Sequence, residues 1–270
     1  MAEDLVIRRD DGPVATLSLN RPGLYNAWGM DMADQLVDML RALDGDPVIK
    51  ACILTGEGDK AFCSGANLQD ESTHMIPSVE EHLGSMRVWS QPNFFHDILG
   101  FRKPLVCAVN GYAVGAGFLV PICCDVILAS TNAKFKMPQT SLGILPAYGG
   151  TARLAQWIGR GRAMEIALSG RTVAADEAER IGLVSRVVEP SELLPAAQEF
   201  AAAVASQPEL AVALTKESAL LAMEQGSLQD ASTMDLYRFT ALSLTADTRE
   251  RHEAWRAERD QRRSAAAPTE

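Results

Sequence analysis

The fold is decided by two stretches of sequence, ACILTGEGDKAFCSGANL at residues 51–68 and PLVCAVNGYAVGAG at residues 104–117. Each stretch begins with an uninterrupted apolar run, which is typical of a buried β-strand. Each ends in glycines and other small residues, which leave backbone N–H groups unobstructed. Two such N–H groups, one from each turn, can converge on a single carbonyl oxygen and stabilise the negative charge that develops there. The sequence therefore predicts an oxyanion hole that is built by two turns.

The chain on either side of these stretches predicts an α/β fold. Residues 4–20 predict a β-hairpin, because two apolar runs flank strong turn residues. Residues 31–44 predict an amphipathic helix, which Asp31 is expected to cap. The order strand, turn and helix recurs, which favours stacked β-β-α units over a Rossmann sheet. Gly115 and Gly117 lack the third glycine and the acidic partner of a dinucleotide-binding motif.

After residue 44 the predicted secondary structure changes gradually from strands to helices. Further along, strands are predicted over residues 50–55, 104–109, 124–129 and 184–188. Helices are predicted over 114–122 and 150–158, from Thr172 to near Gly182, and over 191–206, 209–224, 227–245 and 248–262. The small residues at 264–270 predict a disordered tail. A helical C-terminal region is thus expected behind an α/β core.

Composition narrows the class of protein. The 270 residues are 47% hydrophobic and 22% charged, which is ordinary for a globular chain. The formal net charge of −10 argues against a nucleic-acid or anionic-membrane partner, since both normally require a basic surface. No signal peptide and no run of about 18 apolar residues is visible, so a cytoplasmic location is expected. The five cysteines form no C-x-x-C pair and are interpreted as reduced core residues, not as metal ligands.

Taken in order along the chain, several motifs resemble the enoyl-CoA hydratase/isomerase superfamily, which has the crotonase fold. The resemblance covers nearly the whole chain, and the number of ordered matches makes it specific. It is carried by Asn20-Arg21-Pro22, Asn26-Ala27, 62–68, 110–117, Cys124-Asp125, Ala133-Lys134-Phe135, Pro138, Leu142-Gly143, Gly149-Gly150-Thr151, Gly170-Arg171 and Gly182-Leu183-Val184.

This resemblance implies an α/β fold, a spiral of β-β-α repeats followed by a helical region that forms trimers, which often pair into hexamers. Residues 1–200 would form the spiral core with an acyl-CoA site, residues 201–263 the oligomerisation region and residues 264–270 a tail. The implied partners are an acyl-CoA thioester and further copies of the chain. No tightly bound cofactor or metal is implied, because coenzyme A enters as part of the substrate. A lyase or isomerase of fatty-acid metabolism is the implied class.

The resemblance also assigns residues to the site. The thioester carbonyl would lie between the backbone N–H groups of Ala66 and Ala116, where the family commonly has Gly at the second position. By position, Lys60 matches a contact to the CoA phosphates and Tyr25 lies near the pantetheine. The full set of implied substrate-binding positions is Gly23, Leu24, Tyr25, Lys60, Ser64, Asn67, Leu68, Gln69, Leu119, Leu142 and Tyr148. Asn67 stands where the family usually has Asp.

The residues that should move protons are absent. Hydration of an enoyl thioester needs a base to activate water and an acid to protonate carbon. In this family two glutamates usually supply these roles, and their positions hold Leu119 and Gln139 here. A third carboxylate position, used in some isomerases and dehalogenases, falls at about Ala147. The sequence therefore predicts an acyl-CoA-processing enzyme that is not an efficient general enoyl-CoA hydratase, with Gln139 as a polar substitute.

Two alternatives stay open at this point. A specialised isomerase or hydrolase would use another acid or base, and a non-catalytic acyl-CoA-binding protein would use none. Residues 69–100 contain the candidates for a substitute acid or base, although the same residues are also typical of a solvated helix face. The candidates are Asp70, Glu71, His74, Glu80, Glu81, His82, His96 and Asp97. Tyr148 is either a hydrogen-bond donor or a pocket wall. Trp89, Phe94 and Phe95 either line an acyl pocket or belong to the core.

Overall fold

A computed structural model describes residues 4–67, 94–225 and 228–265 of the chain. The described strands are β1 (Val6–Asp11), β2 (Val14–Leu19), β3 (Ala51–Gly56), β4 (Ala61–Cys63), β5 (Leu105–Val109), β6 (Tyr112–Val114), β7 (Val126–Ser130), β8 (Lys134–Lys136), β9 (Thr172–Ala174) and β10 (Arg186–Val188). The described α-helices are α1 (Met30–Gly45), α2 (Phe94–Gly100), α3 (Ala116–Leu119), α4 (Gly150–Ile158), α5 (Arg160–Ser169), α6 (Ala175–Arg180), α7 (Leu193–Ala205), α8 (Glu209–Gln225), α9 (Leu228–Ser243) and α10 (Ala246–Ala265).

A six-stranded sheet in the order β1-β2-β3-β5-β7-β10 forms the centre of the first part of the chain. β1 and β2 make the predicted antiparallel hairpin, and the other neighbours in this sheet are parallel. One face packs in the main core, and the other packs on α7 through residues such as Ile53, Val106 and Leu128. Because both faces are buried, β3 and β5 read as continuous apolar runs.

A second sheet, β4-β6-β8-β9, is interleaved with the first along the chain. β3 of the large sheet is followed by β4 of the small one, β5 by β6, and β7 by β8. A helix follows β6 and, after a 3₁₀ turn at Gln139–Leu142, another follows β8. The predicted α/β class and the predicted β-β-α repeats are therefore confirmed.

This arrangement decides where the two glycine turns lie. β4 and β6 are parallel neighbours, with Ala61 paired to Tyr112 and Cys63 to Ala113. The carboxyl ends of parallel neighbours lie at the same edge of a sheet. The turn after Cys63 and the turn after Val114 are consequently brought side by side.

Two local predictions are wrong, and one helix is not predicted at all. The N-cap of α1 is Gly29, whereas Asp31 lies in the first turn and pairs with Arg21 at 2.7 Å. Thr172 does not begin a helix, because residues 172–174 pair with β8 as strand β9 and α6 begins at Ala175. Helix α5 was not expected from the sequence, because its periodicity is weak; it is separated from α4 by Gly159, which has a φ of +78°.

The chain divides into two compact units, Met1–Ser206 and Gln207–Glu270. The first holds both sheets and α1 to α7, and the second holds α8 to α10. Within the second unit Arg238 pairs with Glu217 at 2.8 Å, which joins α9 to α8. On α10 Arg251 pairs with Asp247 one turn earlier at 3.1 Å, as the mixed charges of this region indicate.

Two compositional predictions are tested by the structure. All five cysteines lie in the described part of the chain, where they are buried and have free thiols, so their interpretation as core residues is confirmed. Within residues 4–67, 94–225 and 228–265, no helix has both the length and the apolar character that crossing a membrane requires.

Candidate active site

The first glycine turn, residues 64–67, is held by Trp28. The Trp28 N–H donates to the Gly65 carbonyl at 2.8 Å, and the Asn67 N–H donates to the Trp28 carbonyl at 2.7 Å. These two bonds form an isolated parallel bridge between Trp28 and Ala66. In such a bridge the residue between the two bonded neighbours directs its own N–H away from the partner strand. The Ala66 N–H therefore points away from Trp28, and Ala66 itself is exposed.

The second glycine turn ends at the start of helix α3. Gly115 has a φ of +59°, and its N–H donates to the Lys136 carbonyl at 2.9 Å. The Gly115 carbonyl accepts from Phe118 and Leu119, which closes the first turn of the helix. Ala116 is the first residue of this helix, so its N–H belongs to the amides that have no acceptor within the helix. Ala116 itself is half-buried.

The two turns are in direct contact. A Cβ on Gly65 would lie 3.5 Å from the Ala116 nitrogen and 2.7 Å from the Val114 carbonyl oxygen. A Cβ on Gly117 would overlap the backbone of Cys63. Only glycine at these two positions allows the turns to approach this closely. The Ala66 and Ala116 amides thus belong to adjoining stretches of backbone, and neither is used to close its own turn.

The N-terminal segment with Gly23, Leu24 and Tyr25 packs beside the first turn. The Ser64 N–H donates to the Tyr25 carbonyl at 3.0 Å, and the Ser64 hydroxyl donates to the Leu24 carbonyl at 3.4 Å. The Lys60 ammonium lies 6.0 Å from the centre of the Tyr25 ring, at the limit of a cation–π contact. Gly23 is the middle residue of the short 3₁₀ helix Pro22–Leu24. The structure thus brings together five of the predicted binding residues.

Buried Asn26 explains the position of this segment. Its backbone has a φ of +54°, and its side-chain Nδ2 donates to the carbonyls of Glu57 and Ala61 at 3.0 and 2.9 Å. Its Oδ1 accepts from the Arg21 N–H at 2.8 Å. In the sequence, Asn26 belongs to the motif Asn26-Ala27 without a sign of this role, and nothing marks Trp28. A lone asparagine or tryptophan gives no periodic signal from which its contacts can be predicted.

Leu119 and Gln139 lie beside the second turn and the helix that it begins. Leu119 is 4% exposed, and its Cδ2 occupies the space that a Cβ on Gly150 would need. Gln139 is 8% exposed, and its Nε2 lies 4.0 Å from the Cβ position of Gly115. The Gln139 Oε1 atom is buried and has no hydrogen-bond partner among the described residues. The wall beside the turn is therefore apolar at Leu119 and carries an unsatisfied acceptor at Gln139.

The loop before α4 carries Tyr148, two positions before the Gly150 that contacts Leu119. Its backbone has a φ of +54°, which is an uncommon conformation for a bulky residue. Its ring stacks on buried Phe95 with a centroid distance of 4.9 Å, and 42% of Tyr148 stays exposed. Burial raises the pKa of the Tyr148 hydroxyl, so this group remains protonated at neutral pH. Leu142 ends the turn that begins at Gln139 and is 59% exposed.

The substitute acids and bases expected in residues 69–100 are only partly described. Asp97 pairs with Arg41 at 2.9 Å, which gives this carboxylate a structural partner. Phe95 is buried, whereas neighbouring His96 is exposed on α2. The remaining predicted residues lie outside the described residues, or in the case of Phe94 have no described side chain: Leu68, Gln69, Asp70, Glu71, His74, Glu80, Glu81, His82, Trp89 and Phe94.

Cys63 lies directly beneath the first turn but lacks the properties of a nucleophile. Its sulfur accepts from the Gly65 N–H at 3.4 Å, and the residue is fully buried. Burial raises the pKa of the Cys63 thiol to about 12. A thiol with such a pKa is not ionised at neutral pH and is therefore unreactive.

The chain is similar in sequence to known proteins of one family. The sequence profile described as enoyl-CoA hydratase/isomerase matches residues 9–262. A crotonyl-CoA hydratase of Syntrophomonas wolfei is 36% identical over 250 residues, which cover 93% of this chain and 94% of that protein.

Solved structures agree with the sequence matches. Enoyl-CoA hydratase subunit I of Geobacillus kaustophilus superposes with a TM-score of 0.86 at 32% identity, covering 94% of this chain and 95% of that one. An enoyl-CoA hydratase of Bacillus anthracis superposes with a TM-score of 0.85 at 30% identity, covering 94% and 96%. The similarity therefore extends over both compact units of the chain.

Proposed function

The chain belongs to the enoyl-CoA hydratase/isomerase family, and on this premise we propose that it binds an acyl-CoA thioester with the carbonyl oxygen between the N–H groups of Ala66 and Ala116. The observation that carries the proposal is the 3.5 Å approach of the Gly65 Cβ position to the Ala116 nitrogen. Two converging amides stabilise an enolate or a tetrahedral oxyanion as charge develops on the oxygen. Removing one such donor commonly lowers a rate by about 10²–10³.

The segment around Tyr25 supports recognition of the CoA portion. Leu24 and Tyr25 are 45% and 46% exposed, and Lys60 adds an exposed ammonium beside them. Their attachment to Ser64 fixes them next to the turn that carries Ala66. In a protein of net charge −10, a local lysine is the feature that an anionic phosphate requires.

We further propose that the chain is a poor general enoyl-CoA hydratase. Leu119 has no proton to move, and the Gln139 amide does not titrate in a useful range. Losing one general acid or base commonly lowers a rate by about 10²–10⁴. The proposed activity is therefore a specialised one on an acyl thioester: isomerisation, C–C cleavage or thioester hydrolysis through another acid or base.

A second candidate function is acyl-CoA binding without catalysis. The contact between Leu119 and Gly150 favours it, because it packs an apolar side chain where a proton-transfer group would otherwise stand. Such a protein would keep the two amides and the CoA contacts and would release the thioester unchanged.

One experiment separates these possibilities. Binding of crotonyl-CoA, butyryl-CoA and free CoA is measured by titration calorimetry, and hydration is followed by loss of the enoyl thioester absorbance. We expect both acyl-CoAs to bind more tightly than free CoA and hydration to be at least about 10²-fold slower than for the S. wolfei relative. Robust crotonyl-CoA turnover would contradict the proposal for Leu119 and Gln139. Binding without turnover across an acyl-CoA panel supports the second candidate, and no binding at all overturns both.

Self-association is the remaining part of the proposal. Helix α9 exposes Leu236, Tyr237 and Phe239 by 63–68% in the isolated chain, which is typical of a surface that another subunit covers. We propose that the helical unit forms trimers. Light scattering behind gel filtration measures the mass directly, and a monomer of 29.1 kDa would contradict this part.

A further inference from the structure

Two asparagine side chains hold the link between β3 and β4 from opposite parts of the sequence. The Asn26 carboxamide donates to the Ala61 carbonyl at 2.9 Å. The Asn110 carboxamide, from the link between β5 and β6, donates to the Gly56 and Gly58 carbonyls at 2.9 and 2.8 Å. Because a carbonyl oxygen only accepts hydrogen bonds, the nitrogen of each carboxamide must be the atom that faces it. We call this meeting point of three chain segments the asparagine junction.

The backbone at the asparagine junction is closely packed. A Cβ on Gly56 would lie 2.8 Å from Asn26 Nδ2. A Cβ on Gly111 would overlap the Lys60 carbonyl, whose oxygen accepts from the Tyr112 N–H at 3.0 Å. The chain that enters β4 and the chain that enters β6 are therefore in direct contact, and the two carboxamides bond to the carbonyls around this contact.

The ladder between β4 and β6 is too short to fix its own register firmly. Ala61 pairs with Tyr112 and Cys63 with Ala113, so the register shifts by one residue within a ladder of three-residue strands. All three residues of β4 are buried, so its pattern does not distinguish one face from the other. A slip of one residue would move a strand by about 3.3 Å, more than the range of distances that a hydrogen bond tolerates.

The asparagine junction lies at the amino ends of β4 and β6, and the two glycine turns follow their carboxyl ends. We infer that Asn26 and Asn110 are positioning residues, which set the register of β4 against β6 and thereby the separation of the Ala66 and Ala116 amides. This inference rests on the proposed function, because those two amides must first hold one thioester oxygen. In this role the asparagines act through the backbone and need no contact with the acyl-CoA.

Two substitutions remove the donors while respecting the backbone. Asn26→Asp keeps the Oδ1 acceptor and tolerates the left-handed φ of +54°, but it places an oxygen where Nδ2 donates. Asn110→Ala removes the other carboxamide at a position where the backbone is not left-handed. Gln35→Met is the matched control, because the Gln35 Oε1 accepts from the Leu5 N–H at 2.9 Å and so joins α1 to the chain before β1.

The test measures how strongly the thioester carbonyl is polarised in the complex. Donors aimed at a carbonyl oxygen polarise the C=O bond, which lowers its stretching frequency. Infrared difference spectroscopy follows butyryl-CoA that is isotopically labelled at the thioester carbonyl. We expect a lowered frequency in the wild type and in Gln35→Met, and a frequency closer to that of free butyryl-CoA in Asn26→Asp and Asn110→Ala. Calorimetry should show that the affinity for butyryl-CoA relative to free CoA falls by about threefold or more in the two asparagine variants only.

Each other outcome has a definite meaning. Folded asparagine variants with the wild-type carbonyl frequency would overturn the inference, even if their melting temperatures fall. An equal change in Gln35→Met would also overturn it, since any loss of a buried hydrogen bond would then move the carbonyl. A wild type that binds butyryl-CoA without lowering the frequency would overturn the proposed function itself, so the two failures are distinguishable. Circular dichroism verifies folding, and if Asn26→Asp does not fold, Asn110→Ala alone decides the outcome.

Discussion

Gly65 and Ala116 bring the two turns of the candidate site together: a Cβ on Gly65 would stand 3.5 Å from the Ala116 nitrogen and 2.7 Å from the Val114 carbonyl oxygen. Gly65 also has a φ of +95°, a conformation that L-residues avoid. We therefore expect Gly65→Ala to push the turns apart and to weaken acyl-CoA binding by about tenfold or more. Calorimetric titration with butyryl-CoA measures this loss.

Gly12 provides a matched control for that variant. Its φ of +56° is also left-handed, but nothing lies within 4 Å of its Cβ position, and it belongs to the hairpin turn. Gly12→Ala should lower the free energy of unfolding by about 1 kcal/mol through backbone strain alone. Its acyl-CoA affinity should equal that of the wild type. Equal binding by both variants would show that the contact between the turns is not needed for the site.

Restoring two carboxylates should create hydratase activity. Leu119→Glu combined with Gln139→Glu places an acid and a base beside the turn that begins α3. We expect crotonyl-CoA hydration to rise by about 10² or more over the wild type, because each proton-transfer group is worth about 10²–10⁴. Steady-state measurement of enoyl absorbance follows the rate. Each single variant is a control and should gain much less, and a folded double variant with wild-type rates would mean that the pocket has a different geometry.

Tyr148 should reveal the strain of its left-handed backbone. Both Tyr148→Ala and Tyr148→Gly remove the ring that stacks on Phe95, but only glycine relieves the φ of +54°. We expect Tyr148→Gly to be more stable than Tyr148→Ala by about 1 kcal/mol. Thermal or urea unfolding of the two variants gives the difference. If alanine is as stable as glycine there, the loop is not strained at Tyr148.

The cysteines of the core should resist alkylation in the folded state. Burial raises the pKa of Cys63 and of Cys123 to about 12. Because the thiolate is the reactive form, labelling should be negligible at pH 8, where about one thiol in 10⁴ is ionised, and should increase only as the pH rises toward 12. Mass spectrometry after iodoacetamide treatment detects the label. Unfolding in guanidinium should expose all five thiols, and rapid labelling of Cys63 without denaturant would contradict its burial.

Much of this architecture could be predicted from the sequence, because the apolar runs of β3 and β5 are buried on both faces of one sheet. The short strands β4, β6, β8 and β9 were harder to predict. Each has only three residues, and a three-residue strand is too short to show an alternating pattern. This is why residues 172–174 were assigned to a helix, although pairing with β8 holds them as a strand.

In the candidate site, too, some features could be predicted from the sequence and others could not. The two turns and the segment at Tyr25 were recognisable by their order along the chain. The bridge from Trp28 to Ala66 and the hydrogen bonds from the Asn26 side chain to Glu57 and Ala61 were not, because they join residues that are more than thirty positions apart. The unsatisfied acceptor of Gln139 likewise follows from its tertiary surroundings: the sequence shows an amide at this position, and only the packing shows that its oxygen has no donor among the described residues.

The central claim is that the Ala66 and Ala116 amides hold one thioester oxygen, and a crystal structure with bound butyryl-CoA tests it most directly. The account predicts that the carbonyl oxygen lies within about 3 Å of both backbone nitrogens, with the acyl chain beside Leu119 and Gln139. A butyryl-CoA whose carbonyl oxygen contacts neither nitrogen would contradict the account.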